Sequence, residues 1–580
     1  MKLIISQFLR TLRERNEFDQ LLPDLCLAMG YVPLSKPQTG VRQFGVDLAV
    51  VGTSPVDGAQ EMLLFVIKQG DIGRREWAKD DPTAVRPSLE EVVDAYLSKM
   101  VGPEHASFRK TVVLATSGDL KQEVELNWNG FKARYISQAG FDFWGADRVA
   151  ALVEQYMLDE NLFAAQDRSD LRKALALSGE IDYDFADLSR LLLRQLGLKA
   201  DGTLARPAEN SQVLLKALRR AHLASQICVQ WALTDGDSRQ ALWICERTLL
   251  WSWHRVQLCQ KKDREILNPA LAGLWGAYVA TAGRYYEAVA PAFHVRDGMA
   301  GYSSEGASFS IVLFQHIGLM GSIGLGCAMR LPSNEQEADV MQREVNALAD
   351  GLTALLDNHS ASGSPRMDNH IIDITLALMF LMVAGRQDRA SQWVQEIVKR
   401  VDIAFRSDNG FPVSTDSLED LVELAVGSGE PRLLERLRQT SWTLATLAAW
   451  CVILKLEKHY ELLRRHLKTG DYGSVTAQLW HPTLDWAVSW YVGRALDTGH
   501  SEAPYNLPAT TDELRQRITR FLEIKDYQWT EQSPAVEVGL GALDFIATRH
   551  FRYPVPASSW YRFALPDATQ SEESAQRTGE

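Results

Sequence analysis

Gly45-Val46-Asp47-Leu48-Ala49-Val50-Val51 and Met62-Leu63-Leu64-Phe65-Val66-Ile67-Lys68-Gln69-Gly70 decide how this chain is read. Both runs are apolar and rich in β-branched residues, so each predicts a strand. Between them, Ser54-Pro55-Val56-Asp57-Gly58 has turn chemistry and closes a hairpin. Asp47 then stands at the mouth of the first strand and Lys68 at the tip of the second. A carboxylate and an ammonium so placed point to a site for a metal ion and a phosphate.

The neighbouring text supplies the rest of a domain. Phe18, Leu21, Leu22, Leu25 and Met29 recur at helical spacing, and Gly30 ends that run as a C-cap. After Gly70, residues 71–77 read as a loop entering a short helix. Ser88-Leu89-Glu90-Glu91 reads as a capping box opening a helix that runs to about Met100. Thr111 to Thr116 is an apolar strand, Ala133-Arg134-Tyr135-Ile136 a weaker one, and Ala146 to Met157 a closing helix. This order predicts an α/β sandwich over residues 1–160.

Past residue 160 strand-like alternation nearly vanishes. Long helical runs follow, such as 211–233, 239–261, 336–356, 389–405 and 431–455, separated by breaks such as Asp408-Asn409-Gly410. They predict a large all-α, helical-repeat-like region of paired antiparallel helices, without a fixed-period repeat. Its parts are expected at 161–365 and 366–565, followed by a polar, disordered tail at 566–580. The expected fold class is therefore α+β and multidomain.

Composition narrows the function. A net charge of −13 over 580 residues argues against a protein that coats nucleic acid by bulk electrostatics. Local basic clusters remain at Arg74-Arg75 and at Arg10, Arg13 and Arg15. Six scattered cysteines without a CxxC pair suit buried thiols in a reducing compartment. The N-terminus reads as no signal peptide, which leads to the expectation of a cytoplasmic protein. Residues 307–329 carry no charge and are long enough to span a bilayer. Gln315, His316 and four glycines weaken that reading, so a buried helix or helix pair is expected instead.

Taken in order, Phe18-Asp19, Met29-Gly30-Tyr31, Gly40, Gly45-Val46-Asp47 and Phe65-Val66-Ile67-Lys68 form a series. It resembles the restriction endonuclease-like PD-(D/E)xK superfamily, and its Mrr-like branch most closely, over roughly residues 10–157. The resemblance implies a nuclease domain. Asp47 would be the metal carboxylate, Lys68 the catalytic lysine and Asp19 (or Glu17) the helix acid. Two carboxylates in such a site hold Mg²⁺, for which Mn²⁺ substitutes, and the lysine steadies charge on the phosphate. The departure is Val66, where the pattern has Glu, Asp or Gln two residues before the lysine. The missing acid would come from the following helix, which offers Glu90, Glu91 or Asp94, with Glu91 as the metal ligand. Alternatively, the site is degenerate and the domain binds or scaffolds without cutting.

Other constellations carry less. Asp357-Asn358-His359 and Asp368-Asn369-His370 look like a duplicated tripeptide suited to loop and cap duty. His254, His294 and His316 read as core or surface histidines. Gly318, Gly321, Gly324 and Gly326 make no phosphate loop, since no Gly-Lys-Ser/Thr follows. What the resemblance implies is a bacterial nucleic-acid-processing or anti-phage defence protein, acting on DNA or RNA. Its helical region would bind a protein partner and regulate cleavage. The alternative is a non-catalytic adaptor subunit of a defence complex.

Overall fold

The computed structural model describes residues 5–6, 9–10, 18–34, 44–55, 57–78, 84–157, 165–178, 183–206, 210–302, 308–330, 332, 334–407, 411–427, 432–483, 485–524 and 533–565. The chain is α+β, with a small mixed sheet near its N-terminus followed by many helices. It divides into two units. The first is Met1–Gln195 with Lys216–Asp237, and the second is Leu196–Leu215 with Ser238–Glu580.

The sheet of the first unit has strands β1 (Val32–Pro33), β2 (Leu48–Thr53), β3 (Gln60–Lys68), β4 (Arg109–Thr116) and β5 (Gly140–Trp144), in that spatial order. β1, β2 and β3 are antiparallel, whereas β3, β4 and β5 are parallel. The expected hairpin closes at Ser54, whose N–H donates to the Ala59 carbonyl at 2.8 Å. Helix α1 (Asp19–Ala28) precedes the sheet; its C-cap is Met29, and Gly30 just beyond it takes φ +95°, close to where the sequence expects the helix to stop. Helices α2 (Arg74–Ala78), α3 (Val85–Glu91) and α4 (Gln122–Tyr135) contribute Trp77, Leu89, Trp128 and Phe131 to a core. That core also takes Met62, Leu64 and Val66, every second residue of β3, so it lies on one face of the sheet. Phe65, between them, meets Trp144 edge to face at 5.1 Å.

Two local expectations are corrected. Ser88 does not cap a helix: α3 already begins at Val85, with Pro87 in its first turn, and the Ser88 hydroxyl donates back to the Ala84 carbonyl at 2.9 Å. Residues 133–135 are the end of α4 rather than a strand. Val124, Trp128 and Phe131 are spaced for one helical face and are drawn into the core, and the strand forms at Gly140–Trp144 instead. Helix α5 (Ala146–Leu152) follows as expected and continues as a π turn, Val153–Met157.

The first unit also extends past residue 160, taking in α6 (Ala165–Ala176), nearly all of α7 (Ala186–Leu196) and most of α8 (Ser211–Thr234). One tie is the ion pair between Arg219 of α8 and Asp24 of α1, at 3.2 Å. The break expected near 365 is no boundary either, because helices on both sides of it pack on one central helix. The tail at 566–580 lies outside the described residues.

In the second unit the larger helices are α9 (Ser238–Gln257), α10 (Lys261–Phe293), α11 (Ser308–Ala328), α12 (Glu335–Asn358), α13 (His370–Val383), α14 (Gln387–Arg406), α15 (Trp442–Ile453), α16 (Glu457–Thr469), α17 (Thr511–Glu523) and α18 (Ala542–Phe551). The uncharged stretch is α11, long and apolar enough to cross a membrane by composition, with 67% of its most apolar window buried inside the protein. Its glycines explain the burial. A Cβ on Gly318 would lie 2.0 Å from Asp373 Oδ1, on Gly321 2.7 Å from the Ala377 nitrogen, and on Gly324 2.4 Å from the Phe380 ring. The stripe lets α11 and α13 approach to backbone contact.

Polar joints tie the helices together. Arg552 donates to both carboxylate oxygens of buried Asp373 at 2.8 Å, and buried Glu246 takes Arg549 and His550. Asp368 caps α15, accepting from the Ser441 hydroxyl at 2.8 Å and the Thr443 N–H at 3.0 Å. In the sister tripeptide, His359 accepts the Met299 N–H at 3.0 Å. His254 and His316 are buried, and burial pushes His316 down to about 4; His294 is exposed.

Candidate active site at the end of β3

Asp47 sits one residue before β2. The register pairs Leu48 with Phe65, so Asp47 lies opposite Val66, two residues before Lys68. Its N–H donates to the Phe65 carbonyl at 2.9 Å, and its carboxylate Oδ2 accepts the Ile67 N–H at 2.7 Å. The side chain thus continues the ladder where the backbone turns away.

That turn depends on Gly45. Its φ is +77°, and a Cβ there would stand 2.3 Å from the Ser88 carbonyl oxygen and 3.1 Å from Val92 Cγ2. Only glycine meets both demands. The close approach seats the Gly45-Val46-Asp47 turn on α3, one helical turn before Glu91. Glu91, the last residue of α3, is half-buried.

Lys68 is the final residue of β3, half-buried and in register with Thr116 of β4. It shares a face with Val66, Leu64 and Met62, and leaves the core at the rim of that face. The carboxyl ends of β3 and β4 are bound to each other beyond it. The Thr116 hydroxyl donates to the Gly70 carbonyl, and the Gly70 N–H donates to Ser117 Oγ at 3.0 Å. Sites in mixed and parallel sheets form at such strand ends, where the connection pattern changes.

The other acids fall into place around this point. Val66 is completely buried in the core and offers no ligand. Asp71 is held by Lys121 at 2.6 Å and Arg10 at 3.7 Å, and the Lys121 hydrogen bond keeps its carboxyl below the ordinary value. Asp19, the first residue of α1, is half-buried. Among the described residues no three His, Cys, Asp or Glu side chains converge to hold one metal ion. Glu17, Arg13 and Arg15 lie outside the described residues.

No family model, curated protein or solved structure matches this chain.

Each basic cluster expected from sequence has an arginine paired with acids. Arg10 is spent on Asp119 and Asp71, and Arg74 leans on Glu123 at 3.6 Å. At the opposite end of β3 the sequence reading missed a carboxylate. Glu61 is 6% exposed, accepts the Tyr31 hydroxyl, and takes Arg109 Nε at 3.0 Å. Arg109 also grips Asp57 of the hairpin turn, and the four side chains brace that end of the sheet. Its only sequence signal was a lone acid in an otherwise apolar strand.

Proposed function

We propose that the first unit is a restriction endonuclease-like domain that acts on nucleic acid, and that Asp47, Lys68 and Glu91 are its working residues. One observation carries this reading: the Asp47 carboxylate is fixed on the Ile67 N–H, one residue from Lys68, at the open end of the sheet. The antiparallel β1-β2-β3 followed by parallel β4 and β5, with helices between, also fits the topology that the resemblance implies.

The donor set suits a hard divalent cation such as Mg²⁺, for which Mn²⁺ substitutes. Asp47 brings a carboxylate to the strand end, and Glu91 ends the helix seated on the Gly45 turn. Mg²⁺ retains several waters and is commonly held by one or two carboxylates, so a third acid is not required. When bound, the cation supplies Lewis acidity toward a phosphodiester. The chain's residues do the rest. Asp47 and Glu91 would hold the ion, and Lys68 would set its ammonium against a phosphate oxygen, where it would stabilise charge that grows in the transition state. The anti-phage setting, a cytosolic location and a protein partner on the helical unit belong to the same proposal.

The complete burial of Val66 favours a second reading, in which the domain binds nucleic acid or a partner without cutting. A plasmid-cleavage assay with Mg²⁺ and Mn²⁺ separates the two. The first reading expects nicking or linearisation that is lost in Lys68→Ala and Glu91→Gln. Cleavage surviving both substitutions overturns the assignment, and no cleavage by the wild-type chain with either metal favours the second reading.

A further inference from the structure

Helix α16 turns its two sides to different surroundings. Tyr460 and Leu463 are buried, and the helix packs on α14 and α15. Lys458, Glu461, Arg465 and Lys468, spaced three or four residues apart, lie exposed together on the other side. Glu461 is engaged by Arg464 at 2.8 Å, and Glu457 opens the helix, where an acid offsets the helix dipole. Among the described residues no ion pair holds Lys458, Arg465 or Lys468. In a chain of net charge −13 this outward side carries a surplus of positive charge.

Two further cations extend it. Lys455 is exposed in the turn before the helix. Lys399 is exposed on α14 and close to His459: burial, then the charges of Lys399 and Lys458, push that imidazole below its ordinary value. Glu396 and Asp402, the acids of α14 to either side of Lys399 in sequence, are held by Arg400 and Arg406. The described residues end beside this surface. Arg515 of α17 donates from one terminal nitrogen to the Ala564 carbonyl at 3.0 Å and from the other to the Val452 carbonyl at 2.6 Å. Ala564 therefore lies one guanidinium away from the last turn of α15, three residues before Lys455. Phe563 stacks on Trp450 of α15, and Leu565 comes out exposed.

We infer that the acidic segment 566–580 of this chain docks on the basic face of α16. The segment holds Asp567, Glu572, Glu573 and Glu580 against one cation, Arg577. Glu573 is eight residues past Leu565, an extended reach of roughly 26 Å. Helix α16, with 13 residues, is about 20 Å long. The segment can thus set Asp567 near Lys455 and the Glu572-Glu573 pair anywhere along the stripe. Single exposed ion pairs are weak and screened by salt, so docking depends on several together and on the tether that keeps the local concentration of the segment high. Docked there, the segment shields the face from other polyanions. The inference does not depend on the nuclease reading of the first unit.

The test is zero-length carbodiimide crosslinking of the full chain, which joins a carboxylate to a lysine amine in contact with it, read by mass spectrometry of the digested peptides. Links from Asp567, Glu572 or Glu573 to Lys455, Lys458 or Lys468 are expected, falling severalfold in about 0.5 M salt. Arg465→Glu reverses a charge on the face but keeps every lysine. It should cut those links about fivefold, the effect of one exposed charge, and melt with the wild type. Links spread over lysines elsewhere, such as Lys99 and Lys262, or unchanged in Arg465→Glu, overturn the inference. So does the absence of links from the segment. A mixture of natural-abundance and ¹⁵N-labelled chains names the source of the segment. Links within one chain support the inference; links confined to mixed pairs overturn it and assign the face to the segment of a second copy.

Discussion

The carboxylate of Asp47 accepts the backbone N–H of Ile67 at 2.7 Å, so a candidate metal ligand is also the last rung of the β2–β3 ladder. The two duties separate on substitution. Asp47→Asn keeps an oxygen acceptor for Ile67 but removes the charge. It is expected to melt like the wild type and to lose metal-dependent cleavage. Asp47→Ala also strands the Ile67 N–H and should cost about 1–3 kcal/mol. Denaturant melts of the two variants beside the plasmid assay check this; equal destabilisation by both would show that the hydrogen bond contributes nothing.

Val66 occupies the position where the resembling family carries an acid, and it is completely buried. Val66→Glu would put a carboxyl into the core of the sheet and should cost about 3 kcal/mol or more. Position 66 shares a face with Lys68, so Mn²⁺ is expected to restore part of the lost melting temperature. Calorimetry with and without the metal reads this directly, and a metal-independent loss would place position 66 out of reach of the site.

The glycines of α11 make a graded prediction. Gly321→Ala drives a methyl to 2.7 Å from the Ala377 nitrogen and should destabilise the second unit by about 1–3 kcal/mol. At Gly326 the same methyl would meet only Ala542 Cβ at 3.5 Å, an ordinary contact. Gly326→Ala is expected to be neutral, or to stabilise by about 0.5–1 kcal/mol through helix propensity. Thermal melts of the pair test whether close helix approach, rather than glycine content, sets stability here.

Asp544 gives the second unit a pH dependence. It is 1% exposed, accepts the Tyr491 hydroxyl, and is pushed up to about 7 by burial. A carboxyl whose folded pKa is raised favours folding most where it is protonated in both states, below about 4. That contribution is lost as pH rises from about 4 through 7, because the unfolded chain releases the proton first. The loss is at most roughly 4 kcal/mol. Asp544→Asn should flatten this slope and match or exceed the wild type at pH 8. Parallel slopes for both proteins between pH 4 and 8 would refute the assignment.

Much of the first unit was legible because its signals are local. The alternation in Met62–Ile67, the turn residues at 54–58 and the glycine at 30 act within a few residues of themselves. The misreadings at Ser88 and at 133–136 share a cause. Each short segment is compatible with two local structures, and contacts distant in sequence choose between them. Trp77, Trp128 and Phe131, brought together from α2 and α4, made 133–135 helical.

By itself the sequence determined the hairpin that carries Asp47 and Lys68, the change to helical text after the sheet, and the absence of an acid at position 66. All three follow from residue type and periodicity. Only the tertiary structure decided that Gly45 packs on α3 ahead of Glu91, that the glycines of α11 meet α13, and that Arg194 of α7 pairs with the buried Asp167 and Asp170 of α6. Those are pairings between segments far apart in the chain. Their energy lies in close approach and in the burial of charge against charge, which no single stretch of sequence contains.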